Sequence, residues 1–372
     1  MTDRPAIIMV GHSARALAFS AKRAGFAPLS VDVFGDDDTR RVSDAAILLE
    51  GGLRHGLTLD HVVNAVGILV RAYDPIGLVY GSGFEHQPET IAAIARMTRV
   101  FGNEAETLKR VKDPHALAQL CDALGISHPP IASAPPEQPE RWLRKRQGGA
   151  GGAHISAATA TCAAPPDCYF QYRVAGQSFS ALFVANGKRA AIIGLSAQWT
   201  TPTPASPFRY GGAAGPIEVG AAQADQIACA VASITSEFCL VGINSADFIV
   251  SADAVWLIEI NPRPGATLDV FEPNEDSLLG LHIAGCEGRL MPLPTNLAFK
   301  AAEVVYAPFD IVSQVELNWP DWTADRPSPG TRVAAGDPLC TTLASEPTVD
   351  LARICASDRA QHIMAFFQES KH

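Results

Sequence analysis

The stretch Asp247-Phe248-Ile249-Val250-Ser251-Ala252-Asp253-Ala254-Val255-Trp256-Leu257-Ile258-Glu259-Ile260-Asn261-Pro262-Arg263 holds two apolar runs separated by a polar turn. Read as a β-hairpin turning at 251–254, it brings Asp247 on one strand near Glu259 and Asn261 on the next. Side chains alternate along a strand, so Glu259 and Asn261 share a face. Two carboxylates and an amide oxygen on one surface form a hard, oxygen-only donor set. Mg²⁺ prefers such a set when it also keeps waters and phosphate oxygens. The apolar flanks make these acids costly to bury unless a cation or donors face them. Asp247, Glu259 and Asn261 are therefore expected as metal ligands.

Two segments upstream carry complementary chemistry. Arg144-Lys145-Arg146 reads as a strand, and Gln147-Gly148-Gly149-Ala150-Gly151-Gly152 as a flexible loop behind it. A strand-borne lysine and free loop N–H groups offer a point charge and donors to phosphates. The spacing is not that of the P-loop. Further on, Tyr169-Phe170-Gln171-Tyr172-Arg173-Val174-Ala175-Gly176 is an apolar strand whose backbone can pair with a purine edge.

Outward from these segments, the N-terminal third alternates strands and helices. Strands are predicted over 6–10, 28–34 and 77–80, with a helical stretch up to Gly25, which implies βαβ units and a parallel sheet. Gly11-His12-Ser13 is a strand-to-helix turn without the full dinucleotide glycine spacing, and Asp36-Asp37-Asp38 reads as a solvated loop. A helix-rich connector covers 88–127. Beyond the proline-rich boundary at 129–139, short strands are predicted at 142–146, 169–174, 179–185 and 190–193, with Asn186-Gly187 as a hairpin turn. A helix follows over 221–238, then strands at 246–250 and 255–260. The last segment reads as turn-rich strands, a small β appendage, and a terminal helix over 350–367. His282, within Leu278–Gly285, is expected to be a packed helix residue.

Composition narrows the class. The 372 residues carry 29 basic and 39 acidic side chains, a net charge of −10, which argues against an electrostatic grip on nucleic acid or anionic membrane. With 47% hydrophobic and 18% charged residues the chain is globular, with two or three domains expected. No apolar run reaches membrane-helix length and the N-terminus has no signal-peptide pattern, so a cytoplasmic location is expected. The eight cysteines form no Cys-x-x-Cys pair and are expected as buried, reduced thiols, as for Cys229 and Cys239 among apolar neighbours.

In this order and spacing, Lys145 with its glycine loop, Gln171-Tyr172-Arg173-Val174, and Asp247 with Glu259-x-Asn261-Pro262-Arg263 resemble the ATP-grasp superfamily. The resemblance covers roughly residues 1–310. It implies an α/β fold with an N-terminal parallel-sheet domain (1–105), a lid with its linker helix (106–178) and an antiparallel-sheet core (179–310), leaving 311–372 as the appendage. By that resemblance, Lys112 and Lys145 hold ATP phosphates, Gly148, Gly149, Gly151 and Gly152 close over them, and Gln171, Tyr172, Val174 and Ser178 bind the nucleotide. Asp247, Glu259 and Asn261 hold Mg²⁺ or Mn²⁺, while Arg263, with Lys145, acts in catalysis. Ser13, Arg15, Glu85 and Lys188 are candidate substrate contacts.

The chain also departs from the family pattern. Gln171 stands where Glu is common, Arg146 where Pro is common, and Ser245 where an Arg often precedes the metal Asp. The last change passes the transition-state charge to Arg263 or Lys188. The resemblance implies a ligase that joins a small-molecule carboxylate to an amine through an acyl-phosphate, commonly as a homodimer. Tyr80–Glu85, Phe101-Gly102-Asn103, Val111–Pro114 and Asn261–Pro264 are similar to a smaller branch containing the tyramine–glutamate ligase of methanofuran biosynthesis and related methylotroph proteins. That branch implies glutamate as the acid and tyramine or tyrosine as the amine.

Overall fold

The computed structural model describes residues 4–159, 165–313 and 318–369. The first third runs β1 (Ala6–Gly11), α1 (Arg15–Arg23), β2 (Ala27–Asp32), α2 (Asp37–Val42), β3 (Ala45–Leu48), α3 (Gly52–His55), α4 (Leu59–Tyr73), β4 (Leu78–Tyr80), α5 (Pro88–Ala95) and β5 (Val100–Phe101). Its five strands are all parallel, in the order β3-β2-β1-β4-β5. Helices cover both faces, so β1 and β2 are buried almost throughout their length rather than on alternate residues.

Helices α6 (Ala105–Val111) and α7 (Pro114–Leu124) lead into β6 (Ile131–Ala132), β7 (Trp142–Arg146), β8 (Ile155–Ala157) and β9 (Cys168–Tyr172), a four-stranded antiparallel sheet ordered β6-β9-β7-β8. The rest comprises β10 (Gln177–Asn186), β11 (Ala190–Thr200), β12 (Tyr210–Ile217), α8 (Ala221–Phe238), β13 (Val241–Val250), β14 (Val255–Asn261), α9 (Leu268–Phe271), α10 (Leu278–Cys286), β15 (Phe299–Tyr306), β16 (Ile311–Val312), β17 (Thr323–Ala324), β18 (Arg332–Val333), β19 (Pro338–Glu346) and α11 (Val349–Glu369). Eight of these strands form one antiparallel sheet, β14-β13-β10-β11-β12-β15-β19-β17. Within residues 311–372, β19 pairs with β15 over nearly its full length and so extends the large sheet.

Strand alternation divides this sheet between two cores. From β10, Phe179, Ala181, Phe183 and Ala185 pack with Ile227, Val231 and Ile234 of α8. Leu182 and Val184 face the other way, against Leu278 and Leu279 of α10 and Leu17 and Ala18 of α1. The N-terminal domain therefore sits on the sheet face opposite α8.

That division decides where the acids of β14 point. Val255 and Leu257 face α8, and an unbroken strand would send Glu259 and Asn261 the same way. Leu257 pairs with Phe248, but the next pair is Glu259 with Asp247, which leaves Ile258 as the extra residue of a bulge. One inserted residue reverses the alternation. Glu259 and Asn261 thereby turn to the face that Asp247 and Ser245 occupy, across from α8.

Several expectations need correction. Asp36 and Asp38 are buried, not solvated: Asp36 caps α2 by accepting from the backbone N–H of Thr39 at 2.7 Å, and Asp38 pairs with Arg326. Cys229 and Cys239 are exposed because they lie on the outer side and at the end of α8, whereas Cys121 and Cys340 are buried; Cys162 lies outside the described residues. Strand β12 (YGGAAGPI) escaped the sequence reading because glycine and alanine are poor strand formers. Here they serve packing: a Cβ on Gly215 would lie 3.0 Å from the Phe271 ring. Among the described residues, no helix is long and apolar enough to cross a membrane.

His282 behaves as expected of a packed helix residue. Its Nδ1 accepts from the Ile243 N–H at 2.8 Å, which leaves Nε2–H to donate to the Phe101 carbonyl at 2.9 Å. Burial lowers its pKa to about 4, against a weaker upward pull from that carbonyl. The unfolded chain takes up this proton near 6.5, so the stabilisation is complete above that pH and is lost as the pH falls toward 4. The stability advantage of the wild type over His282→Gln should shrink by about 2 kcal/mol between pH 7.5 and pH 5. Urea unfolding of both proteins at the two pH values measures it, and a constant difference would contradict the assignment.

Candidate active site

The bulged hairpin sets Asp247 and Glu259 directly opposite each other. Ser180, across from Asp247 on β10, donates to its Oδ1 at 2.6 Å, and the Asn261 amide nitrogen donates to its Oδ2 at 3.0 Å. The Asn261 oxygen accepts from Lys112 Nζ at 2.8 Å, and Lys112 also reaches Glu259 at 3.4 Å. Lys112 stands at the C-terminal end of α6, which delivers a buried ammonium to the carboxylates from outside the hairpin.

The two acids titrate as a pair. Burial and the facing Glu259 push Asp247 up. Burial would also raise Glu259, but Lys112, Lys145 and His154 outweigh it and hold that carboxyl down. Lys145, buried on β7, is lowered by burial and pulled back up by Glu259 and Asp247.

Among the described residues, no cluster of three or more His, Cys, Asp or Glu side chains is placed to hold a metal ion alone. Two facing carboxylates beside an amide oxygen nevertheless fit Mg²⁺, which completes its octahedron with phosphate and water oxygens. The mutual repulsion that raises Asp247 is the charge such a cation offsets.

A cleft of about 760 Å³ opens over this pair. Lys145, Gly151, Gly152, Gln171, Tyr172, Val174, Ser178, Asp247, Glu259, Asn261 and Arg263 all line it. Gly148, Gly149 and Lys112 line a small adjoining pocket that shares Gln171, His154 and Glu259 with the cleft region. The glycine loop is docked rather than open. Gly148 has φ of 68°, and a Cβ there would lie 2.6 Å from the Glu85 carbonyl. Gly152 has φ of 75°, and a Cβ there would lie 1.8 Å from the Phe208 carbonyl. Both positions require glycine, for conformation and for space.

Arg263 leaves β14 behind Pro262 and is buried. Its Nε donates to Glu85 at 2.7 Å, and the other Glu85 oxygen accepts from the Gly83 N–H at 2.7 Å. Burial would raise Glu85, yet Arg263 and Lys112 hold it at about 2. Glu85 lies before α5 and is a partner for Arg263 rather than a ligand of the helix dipole. Ser13 and Arg15 lie outside the cleft and meet Asp325 and Asp269. Lys188 is exposed in the β10–β11 turn, at the end of β10 remote from Ser180 and Asp247, so it is not the cation that replaces an Arg at 245. Lys112, Lys145 and Arg263 are the cations near the acids.

The sequence reading missed Ser180, His154 and Tyr210. Ser180 was hidden by register: only pairing β10 with β13 places it opposite Asp247. His154 directly follows the glycine loop, and that position was its available signal. Its ring packs on Gly149, and burial lowers its pKa against the opposing pull of Glu259.

Residues 113–267 match the family model of the ATP-grasp domain. No curated protein matches the chain. The chain resembles the biotin carboxylase domain of Hydrogenobacter thermophilus 2-oxoglutarate carboxylase, solved as a dimer with MgADP, ADP and bicarbonate, at 11% identity and TM-score 0.70 over 93% of this chain and 87% of that one. It resembles an L-amino acid ligase from Bacillus licheniformis at 11% identity and TM-score 0.68, over 96% and 97% of the two chains. It also resembles Rhizobium etli pyruvate carboxylase at 14% identity and TM-score 0.73, covering 96% of this chain but only 39% of that protein's length. The fold is the ATP-grasp fold, as the sequence led us to expect.

The Glu85–Arg263 pair yields a test. Removing one member of a buried pair strands a charge and costs about 3–5 kcal/mol. Glu85→Gln and Arg263→Met should each lose about that much in chemical unfolding, and the double variant should lose clearly less than their sum. Additive losses would mean the pair is not coupled.

Proposed function

We propose that the protein is a Mg-ATP-dependent carboxylate–amine ligase that forms an amide through an acyl-phosphate and releases ADP and phosphate. The observation that carries this reading is the facing Asp247–Glu259 pair, with Lys112 and Lys145 beside it and the docked glycine loop closing the cleft. Mg²⁺ held by Asp247, Glu259 and Asn261 supplies charge neutralisation for the phosphates when bound. Lys145 and Lys112 present fixed positive charge to the same phosphates in a water-poor cleft, where it acts more strongly than in solvent. Gln171, Tyr172 and Val174 hold the base, the Gln171 side-chain oxygen serving as an acceptor for an exocyclic amine. Arg263, fixed by Glu85, faces the reacting carboxylate. The loop at 148–152 shields the acyl-phosphate from water.

The substrates of this reading are the γ-carboxyl of glutamate and the amine of tyramine or tyrosine, in a one-carbon cofactor pathway of the methanofuran, methylofuran or tetrahydromethanopterin type. It rests on the short stretches Tyr80–Glu85, Phe101–Asn103, Val111–Pro114 and Asn261–Pro264. The enzyme would act in the cytoplasm as a homodimer on small molecules.

ADP and phosphate release from Mg-ATP, with L-glutamate fixed and an amine panel including tyramine and tyrosine, tests the reaction, and product mass identifies the amide. Asp247→Asn and Glu259→Gln should each cut ADP release at least about a hundredfold while both variants stay folded at the assay temperature, as circular dichroism reads it. Release of AMP would replace the acyl-phosphate with adenylate chemistry. Full activity in either variant would remove these residues from the metal site. ATP binding with no turnover on any acid would favour a nucleotide-binding protein without catalysis.

A further inference from the structure

Beside the nucleotide cleft lies a second, partly open chamber of about 290 Å³, lined by α1, the loop after β4, α9, β15 and β19. His12, Ser82, Tyr210, Gly265 and Ala266 line both spaces, which adjoin there. Three charged side chains face the chamber. Arg15 donates through Nε to Asp325 at 2.8 Å, through Nη1 to Asp269 at 2.8 Å, and through Nη2 to Asp269 at 2.5 Å and Asp325 at 3.2 Å. Four of its five N–H groups are therefore engaged, and it has little left for a ligand anion. Asp325 also accepts from Ser13 at 3.0 Å and Thr341 at 2.6 Å, which fills its lone pairs. Among the described residues Asp269 receives only the Arg15 bonds, so each of its oxygens keeps acceptor capacity. One cation against two anions leaves the group at −1, inside apolar walls that include Ala16, Leu17 and Tyr306.

Resting on the ligase reading above, we propose that this chamber is the amine subsite, with the substrate's ammonium against Asp269 and its body along Tyr306 and Leu17. A carboxylate or phosphate would meet net negative charge there, with no cation free to receive it. The acid partner is left to the cleft, beside Arg263, and the two groups meet where His12, Ser82, Tyr210, Gly265 and Ala266 line both spaces. On reaction the C–N bond forms at the acyl carbon, the C–O bond to phosphate breaks, and phosphate leaves with that electron pair. Of the two protons the ammonium gives up, one goes to the His12 imidazole and the other to the departing phosphate. His12 suits this task. Burial lowers its pKa against the opposing pull of Glu85, which favours the neutral imidazole near pH 7, and the residue lines both spaces.

The test reads binding without turnover. Calorimetry on the whole protein, in the presence of Mg²⁺ and a non-hydrolysable ATP analogue, compares tyramine, phenethylamine and putrescine with 4-hydroxyphenylacetate. At least one amine should bind saturably and the acid should not. Asp269→Asn should weaken the amine at least tenfold. Because Asp269 also anchors Arg15, a second variant, Ala16→Leu, fills the chamber without touching a charge and should weaken the amine by a similar factor. Binding of the acid in place of the amines, no binding by any amine, or indifference to both variants would each overturn the subsite. A lack of ADP release with every acid and amine would sink the ligase reading separately, since the nucleotide and amine isotherms do not depend on turnover.

Discussion

One extra residue in β14 decides what this protein can do. Without the bulge at Ile258, the alternation that buries Val255 and Leu257 under α8 would bury Glu259 and Asn261 there too. Two polar side chains would then enter an apolar core, and Asp247 would face the cleft alone. With it, the apolar half of the strand keeps its packing and the polar half turns to the opposite face. The strand thus serves stability and chemistry in succession along seven residues.

The site that results belongs to no single sheet. The hairpin supplies the acids, α6 brings Lys112, β7 brings Lys145, and the loop after β4 brings Glu85 to Arg263. Buried contacts between distant segments fix these pieces relative to one another. Asn103 is an example, donating to Asn244 at 2.8 Å and to the Pro262 carbonyl at 2.9 Å while accepting from the Val241 N–H at 2.9 Å. A buried ion pair such as Glu85–Arg263 contributes little net stability once desolvation is counted, but it penalises every arrangement in which one partner is missing. It therefore acts mainly on position, and position is what a site assembled from four elements needs.

Much of this was legible from the chain itself. Turn and strand signals located the hairpin, and a parity argument put Glu259 and Asn261 on one face. The alternation of strands with helical stretches in the N-terminal third announced βαβ units and a parallel sheet. What stayed hidden depended on register or on distant partners. Ser180 becomes a partner of Asp247 only when β10 pairs with β13. The Asp36–Asp38 run looks solvated until Arg326, nearly 290 residues away, is brought to Asp38. Arg15 looks like a free substrate contact until Asp269 and Asp325 close on it. Local propensity carries no record of such contacts, and β12 shows the same limit in reverse, since its glycines favour no strand and are there for the rings that pack on them.

The docked glycine loop links these observations. Gly148 lies against the backbone of Glu85 and His86, and Glu85 is the residue that holds Arg263. Any side chain at 148 would push the loop away from that backbone. The start of the loop and the arginine thus meet the two sides of a single short segment, while the far end of the loop docks on Phe208. A loop packed against Glu85, and an arginine held by the same residue's carboxylate, put the cover of the cleft and the residue proposed to face the reacting group on one segment. Placing both controls on 83–86 requires no long-range relay: the coupling follows from van der Waals contact on one side of the segment and a 2.7 Å hydrogen bond on the other.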